Sequence, residues 1–126
     1  MGKMVWKDDY SVGNAVLDSQ HRGLMELVNR LDGDEPLSLL LEELARYATV
    51  HFQTEEKLLQ AVGYPDLEQQ KFQHKAFRAW LDRTLADWES GGERLVSSRD
   101  LKAYLRVWIA NHLQVYDAAF KSWLEK

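Results

Sequence analysis

Four successive segments of the chain repeat apolar residues at three- and four-residue steps, the spacing that gives an α-helix one apolar face. The last segment shows the pattern with Leu101, Leu105 and Trp108. No segment alternates apolar and polar residues as a half-buried strand does. Because only short breaks separate the segments, neighbouring helices are expected to run antiparallel. The sequence therefore predicts an all-α, up-down-up-down four-helix bundle, with residues 1–126 forming one domain.

Proline and short polar side chains mark the expected helix starts. Pro36 and Pro65 each stand where a helical pattern begins, a position at which the missing N–H of proline does no harm. Asp18 is the predicted N-cap of the first helix, and Ser97 or Ser98 that of the fourth. The predicted helices span residues 18–32, 36–62, 65–89 and 97 onward.

The first 17 residues lack a helical period. We predict that they form an N-terminal arm, which Trp6, Tyr10 and Val12 anchor against the bundle. The start of the chain also lacks the apolar core of a secretory signal, so a cytoplasmic protein is expected.

Composition excludes several classes of function. No apolar run approaches the roughly 20 residues of a membrane span, so no membrane contact is expected. The 16 basic residues, against 20 acidic ones, are not concentrated in a patch, so nucleic acid is not an expected partner. Cysteine is absent, which leaves imidazole and oxygen as the ligands of any metal site.

Each predicted helix carries one histidine at a position of its apolar face: His21, His51, His74 and His112. A single core histidine is more often a hydrogen-bonded structural residue, but these four share one level. At ~1.5 Å of rise per residue, His51 lies about 16 Å before the turn near residue 62 and His74 about 17 Å after it. Burying a polar group costs free energy unless the group forms a hydrogen bond or binds a ligand. Four buried histidines at one level of the bundle therefore indicate a metal site.

Two carboxylates belong to the same level. Glu55 follows His51 by one helical turn; this spacing alone is a weak signal, but its place on the apolar face strengthens it. Asp117 follows His112 by five residues, which in an ideal helix would turn it about 140° away. We therefore predict a π-bulge between His112 and Asp117, which would return the carboxylate to the site.

These residues resemble the hemerythrin family, whose pattern is an isolated histidine followed by HxxxE, HxxxH and HxxxxD on successive helices. The resemblance spans nearly the whole chain. It extends to segments typical of the bacterial branch: residues 17–21 (LDSQH), 51–56 (HFQTEE), 63–65 (GYP) and 108–112 (WIANH).

The resemblance implies a non-haem centre of two iron ions, bridged by Glu55, Asp117 and an oxo or hydroxo group. His21 and His51 would bind one iron, and His74 and His112 the other. Imidazole and carboxylate would also accept zinc or manganese, so the expectation of iron depends on the resemblance.

Gln70 departs from the family pattern, because it stands where the HxxxH pair of the third helix has its first histidine. Three roles are open to it: ligation through the amide oxygen, a hydrogen bond to a water in the vacant position, or no part in the site. The change adds an exchangeable position to one iron. The site would then hold two irons less firmly, or only one iron or another divalent metal.

Four apolar residues are candidates for the lining of a ligand pocket: Phe52, Phe77, Trp108 and Ile109. Plain core packing is the alternative interpretation, and it is favoured for Phe77. Trp108 and Ile109 lie one turn before His112 on the same helix face.

The resulting functional hypothesis is a diiron protein that binds dioxygen for carriage, storage or delivery, with an iron site altered by Gln70. One alternative is a redox or oxygen sensor. The other is an enzyme that acts on peroxide, nitric oxide or oxygen. Ferritin-like chemistry is disfavoured because no glutamate stands three residues before any of the histidines. The identity of a protein partner is left open.

Overall fold

The computed structural model describes residues 4–124, and of residues 115, 116 and 118 it describes the backbone alone. The described residues form helices and contain no strand. The five α-helices, in chain order, are α1 (Ala15–Arg30), α2 (Leu37–Ala61), α3 (Leu67–Gly91), α4 (Ser98–Asn111) and α5 (Ala118–Leu124). A π-helical segment, His112–Asp117, joins α4 to α5, so that these three elements make up the fourth rod of the bundle.

Contacts between neighbouring helices run in opposite sequence order. Arg30 at the end of α1 bonds Glu43 of α2, whereas Gln20 nearer its start lies 3.5 Å from Thr54. The α3–α4 pair behaves alike: Trp80 packs on Tyr104 of α4, and His74, earlier in α3, lies next to the later His112. Opposite order is what antiparallel neighbours produce, as short connections require.

Asp18 fixes the N-terminal arm to the bundle instead of capping α1. The cap is Asn14, whose side chain accepts a hydrogen bond from the backbone N–H of Leu17 at 3.0 Å. Asp18 lies inside the helix, so its prediction as N-cap was wrong. Its carboxylate accepts hydrogen bonds from the Ser11 hydroxyl at 2.6 Å and from the Val12 N–H at 2.9 Å. These two bonds hold the end of the arm against α1.

The other helix ends follow local chemistry closely. Gly63 adopts φ 71°, the left-handed conformation that glycine tolerates, just after the end of α2. Ser97 caps α4 by accepting from the Asp100 N–H at 3.2 Å, as predicted. Pro36 is the residue before α2, and Pro65 lies in the turn ahead of α3, which begins two residues later than predicted.

Two apolar clusters lie along the bundle, one on each side of the histidines. The large cluster draws on all of the helices from α1 to α4 and includes Leu24, Val28, Leu41, Leu81 and Leu105. The small cluster joins the end of the arm, the start of α1, the end of α2, the α2–α3 turn and α5, and consists of Val12, Leu17, Leu59, Tyr64 and Phe120. Among the described residues, no helix combines the length and the apolar character that crossing a membrane requires.

Candidate metal centre

Six buried polar side chains occupy the layer between the two clusters. Each residue is at most 2% exposed: His21, His51, Glu55, His74, His112 and Asp117. Ligand atoms of five of them all lie within 4.8 Å of one another; His74 falls outside this set. The Nε2 atom of His74 nevertheless lies 3.0 Å from Glu55 Oε1. The structure thus brings together the residues that the sequence pattern singled out; their role as metal ligands is a proposal.

The π-helical segment is what brings Asp117 into the layer. A π turn is wider than an α turn, so a side chain five positions after His112 returns to the same face. Asp117 Oδ2 consequently lies 2.8 Å from His21 Nε2 and 3.2 Å from His112 Nε2. The predicted π-bulge is confirmed, because the segment starts at His112 and ends at Asp117.

Glu55 divides its two carboxylate oxygens between two pairs of imidazoles. Its Oε2 lies 3.2 Å from His51 Nε2 and 3.4 Å from His21 Nε2. Its Oε1 lies 3.0 Å from His74 Nε2 and 3.6 Å from His112 Nε2. Asp117 joins the same two pairs, since it contacts one imidazole of each. The site therefore has two halves, an α1–α2 half and an α3–α4 half, with a carboxylate between them.

Of these close approaches, hydrogen bonding accounts for the one between His21 Nε2 and Glu55 Oε2, at 3.4 Å. Among the described residues, buried atoms of the layer lack a hydrogen-bond partner: Nδ1 of His21, Nε2 of His51, His74 and His112, Oε1 of Glu55 and both oxygens of Asp117. Buried polar groups without partners are costly in a protein interior. Two ligands at right angles on one cation, each ~2.1 Å from it, stand about 3 Å apart, which matches the spacing here. The donor set therefore fits a bound metal.

The electrostatics of the layer without metal show how strongly its members depend on one another. Burial opposes the charged form of His21, but the nearby carboxylates of Asp117 and Glu55 prevail and raise its pKa to about 9. Burial also opposes the charged form of Glu55, yet the facing imidazoles of His112, His21 and His51 hold its pKa well below the usual range. Without a cation, shared protons therefore take the place of the positive charge.

Two residues outside the predicted set orient the imidazoles. The Nδ1 atom of His51 lies 2.8 Å from Gln20 Oε1, and that of His74 lies 2.8 Å from Glu56 Oε2. Each contact leaves Nε2 of the ring facing the layer. Sequence reasoning missed both residues because they lie beside the apolar faces and contact rings on other helices. The signal that could have found them is their place in the LDSQH and HFQTEE segments.

Aromatic rings surround the α3–α4 half of the site. Phe52 stacks on His74 with ring centroids 3.9 Å apart, and Trp108 stacks on His112 at 4.8 Å. Phe77 stacks on Trp108 at 4.0 Å, which places it one ring farther from the histidines. Ile109 is buried in the large cluster beside them. The predicted lining residues thus lie in or against the apolar core, three of them in contact with one another.

Gln70 is buried on α3, one turn before His74, and is 3% exposed. Its position on the inward face agrees with its place in the sequence pattern. That this amide replaces a ligand histidine is a prediction from the resemblance.

Comparisons with known proteins find similar sequences. The bacteriohemerythrin of Pseudomonas aeruginosa is 30% identical over an alignment of 126 positions, which covers 95% of this chain and 80% of that protein. The hemerythrin-like protein of Naegleria gruberi is 28% identical over 116 residues, which cover 92% of this chain and 89% of that one.

Solved structures show the same fold. A crystal structure of wild-type hemerythrin matches with a TM-score of 0.87 at 23% identity, over 99% of this chain and 100% of that one. A point variant of hemerythrin matches with a TM-score of 0.88, also at 23% identity, over the whole of both chains. The family described as the hemerythrin HHE cation binding domain matches residues 12–124. With nearly the whole chain inside that match, the protein belongs to the hemerythrin family of cation-binding domains.

Proposed function

We propose that this protein binds two iron ions between its four helical rods and takes up dioxygen there. The observation that carries the proposal is the division of Glu55, one oxygen toward His21 and His51 and the other toward His74 and His112. A carboxylate that serves a single cation has no need of imidazole pairs on both of its oxygens. When bound, an iron pair supplies the two electrons needed for reversible reaction with dioxygen.

The chain's own residues prepare the site for such a pair. Glu55 and Asp117 supply two negative charges between the halves, and the four imidazoles complete the donor set. The Nδ1 contacts of His51 and His74 set the orientation of each ring. Phe52 and Trp108, stacked on His74 and His112, restrict access of water to the α3–α4 half. A diatomic ligand would enter beside these aromatic rings.

Metal analysis together with optical spectroscopy tests the proposal. The protein, freed of metal and reloaded with ferrous iron without oxygen, should retain about two irons per chain. Admitting dioxygen should produce a charge-transfer absorption that disappears when oxygen is removed. Retention of one iron or fewer would contradict the dinuclear site, and a preference for zinc over iron would contradict the metal.

Gln70 should weaken the α3–α4 half, because an amide is a poorer donor than imidazole. Gln70→His should therefore slow the loss of one of the two irons to a chelator. The matched control is Gln69→His, which places the same side chain on the exposed neighbouring position of α3. Equal release rates in Gln70→His and Gln69→His would show that position 70 does not face the metal.

The same residue favours oxidation chemistry as a second candidate function. An exchangeable position on the α3–α4 half would admit peroxide or nitric oxide as well as dioxygen. If this is the function, the iron-loaded protein should consume peroxide in many turnovers with an added electron donor, and Gln70→His should suppress that reaction. Stoichiometric bleaching by peroxide, without turnover, would exclude it.

A further inference from the structure

The two halves of the site differ in what stands behind their imidazoles. His51, in the α1–α2 half, has Nδ1 2.8 Å from the side-chain oxygen of Gln20, a neutral amide. His74, in the α3–α4 half, has Nδ1 2.8 Å from a carboxylate oxygen of Glu56. The half in which Gln70 replaces an imidazole is therefore the half that has a carboxylate behind its ring.

The carboxylate fixes which nitrogen of His74 faces the layer with a free electron pair. An ionised carboxylate only accepts hydrogen bonds, so Nδ1 of His74 must carry the hydrogen. Nε2 is then the unprotonated nitrogen of the neutral ring, and it lies 3.0 Å from Glu55 Oε1. A hydrogen bond to a charged acceptor is roughly twice as strong as one to a neutral acceptor. It also makes the opposite nitrogen a stronger donor toward a metal.

Packing holds His74 in the orientation that this hydrogen bond requires. The ring of Phe52 lies parallel to it, with an interplanar angle of 4° and a centroid distance of 3.9 Å. The His74 side chain is only 3% exposed, whereas that of Glu56 is 27% exposed. The carboxylate thus reaches inward from the edge of the bundle and remains partly solvated, which limits the cost of its negative charge.

We propose that Glu56 is a positioning residue that makes His74 a stronger imidazole donor than His51 and offsets the donor missing at Gln70. The inference rests on the proposed metal site, because it concerns how firmly the α3–α4 half holds its ion. Glu56 does not touch the ion; it acts through the ring of His74. Without it, the α3–α4 half would combine a neutral amide with an ordinary imidazole.

Metal release separates this role from a merely structural one. Three proteins are loaded with ferrous iron in the absence of oxygen: wild type, Glu56→Gln and Glu68→Gln. The release of iron is then followed by the absorbance of a chelator that binds ferrous iron. Glu68→Gln removes the same charge from α3, where that side chain is 89% exposed. Glu56→Gln should release one of the two irons about 10- to 100-fold faster and leave the other unchanged. Release as slow as that of Glu68→Gln overturns the proposal.

A second measurement does not depend on iron chemistry. In the zinc-loaded protein, which is diamagnetic, the Nδ1–H proton of His74 should give a far-downfield NMR signal, and Glu56→Gln should move it upfield. The corresponding signal of His51 should stay in place. A His74 signal that does not move in Glu56→Gln overturns the proposal. A melting temperature of metal-free Glu56→Gln well below that of metal-free Glu68→Gln also overturns it, because Glu56 would then serve folding.

The two proposals fail in different ways. Wild-type protein that retains no metal contradicts the proposed function and this inference together. Wild-type protein that holds two irons, alongside a Glu56→Gln variant with unchanged release, contradicts this inference alone.

Discussion

The two apolar clusters on either side of the histidine layer are held together by different means. The large cluster is built mainly from side chains on consecutive turns of long helices, among them Leu24 and Val28 of α1, and it also includes Tyr10 of the arm. The small cluster gathers the end of the arm, a turn and the short helix α5, through Val12, Tyr64 and Phe120. Helices that pack over many turns support one another, whereas chain ends and turns depend on whatever fixes them. Beside the small cluster, Asp18 bonds the end of the arm, and Asp117 joins the chain just before α5 to the histidine layer.

Truncation of one fully buried side chain in each cluster should show most clearly that the two clusters differ in their connection to the metal site. Leu81→Ala in the large cluster should lower the free energy of unfolding by about 2–5 kcal/mol, with or without metal. Phe120→Ala in the small cluster should cost a similar amount and should also speed metal release, because Phe120 anchors α5 just after Asp117. Chemical denaturation and chelator competition measure the two effects. Metal release that is no faster in Phe120→Ala than in Leu81→Ala would break the distinction.

Removal of metal should loosen the small cluster more than the large one. A ligand present at about 1,000 times its dissociation constant stabilises the folded state by about 4 kcal/mol. We expect that stabilisation to show first in the arm and α5, because Asp117 joins the fourth rod to the layer. Hydrogen exchange with and without zinc should therefore change most in residues 12–17 and 118–124. Equal changes around Leu81 would show that the bundle responds as one unit.

The metal-free layer should also make stability depend on pH. Although burial opposes its charge, His21 has its pKa raised to about 9 by Asp117 and Glu55, and the pKa of His74 is raised in the same way by Glu55 and Glu56. A histidine whose pKa is raised on folding contributes its full stabilisation of the folded state below its unfolded pKa of about 6.5. This stabilisation is lost as pH rises through the pKa of the folded state.

The loss should begin above the unfolded pKa and be complete once the pH has passed the folded pKa of His21, about 9. Burial lowers the pKa of His51, so His51 carries no proton in either state over most of this range and does not oppose the trend. Each proton bound only by the folded state changes the free energy of unfolding by about 1.4 kcal/mol per pH unit. Denaturation curves at successive pH values should show that the free energy of unfolding of the metal-free protein falls as pH rises. That of the zinc-loaded protein should fall less. Metal-free stability that rises over this range would contradict the assignment.

The layer was predictable from sequence because its signal is local. A polar side chain on an apolar helical face, as at His21, His51 and His112, is visible from periodicity alone, and short connections fix the relative heights of neighbouring helices. The five-residue step to Asp117 even indicated the π-helical segment, since an undistorted helix would have turned that carboxylate away. Four helices with one polar layer follow from these rules.

The supporting contacts were not predictable because they depend on which side chains face each other across helices. Asp18 and Asn14 are both good N-cap residues, and the choice between them depends on the hydrogen bonds that Ser11 of the arm and its neighbour donate to Asp18. Glu56 would be a solvated carboxylate on an isolated α2, and only the packing of α3 places His74 beside it. Tertiary contact, rather than propensity, decides such positions.

Release of the arm should have a smaller effect than truncation of a cluster. Asp18→Ala removes the acceptor of two hydrogen bonds, from Ser11 and Val12, and should lower the free energy of unfolding by about 1.5–3 kcal/mol. Hydrogen exchange should localise the effect to the small cluster, with little change around Leu81. Asp9→Ala, an exposed carboxylate of the same arm, is the matched control. Equal destabilisation by both variants would mean that loss of charge, and not loss of the anchor, is responsible.

The smallest expected effect tests the independence of the large cluster from the metal. Ser97 caps the start of α4, at the opposite end of that helix from His112, through a 3.2 Å hydrogen bond from the Asp100 N–H. Ser97→Ala should lower the free energy of unfolding by about 1 kcal/mol and leave metal release unchanged, with Ser98→Ala as the control. Fraying at a helix end normally stays within the first turn, so it should not travel the length of α4. Faster metal release in Ser97→Ala would show that fraying does reach His112, and that the two ends of the bundle are coupled.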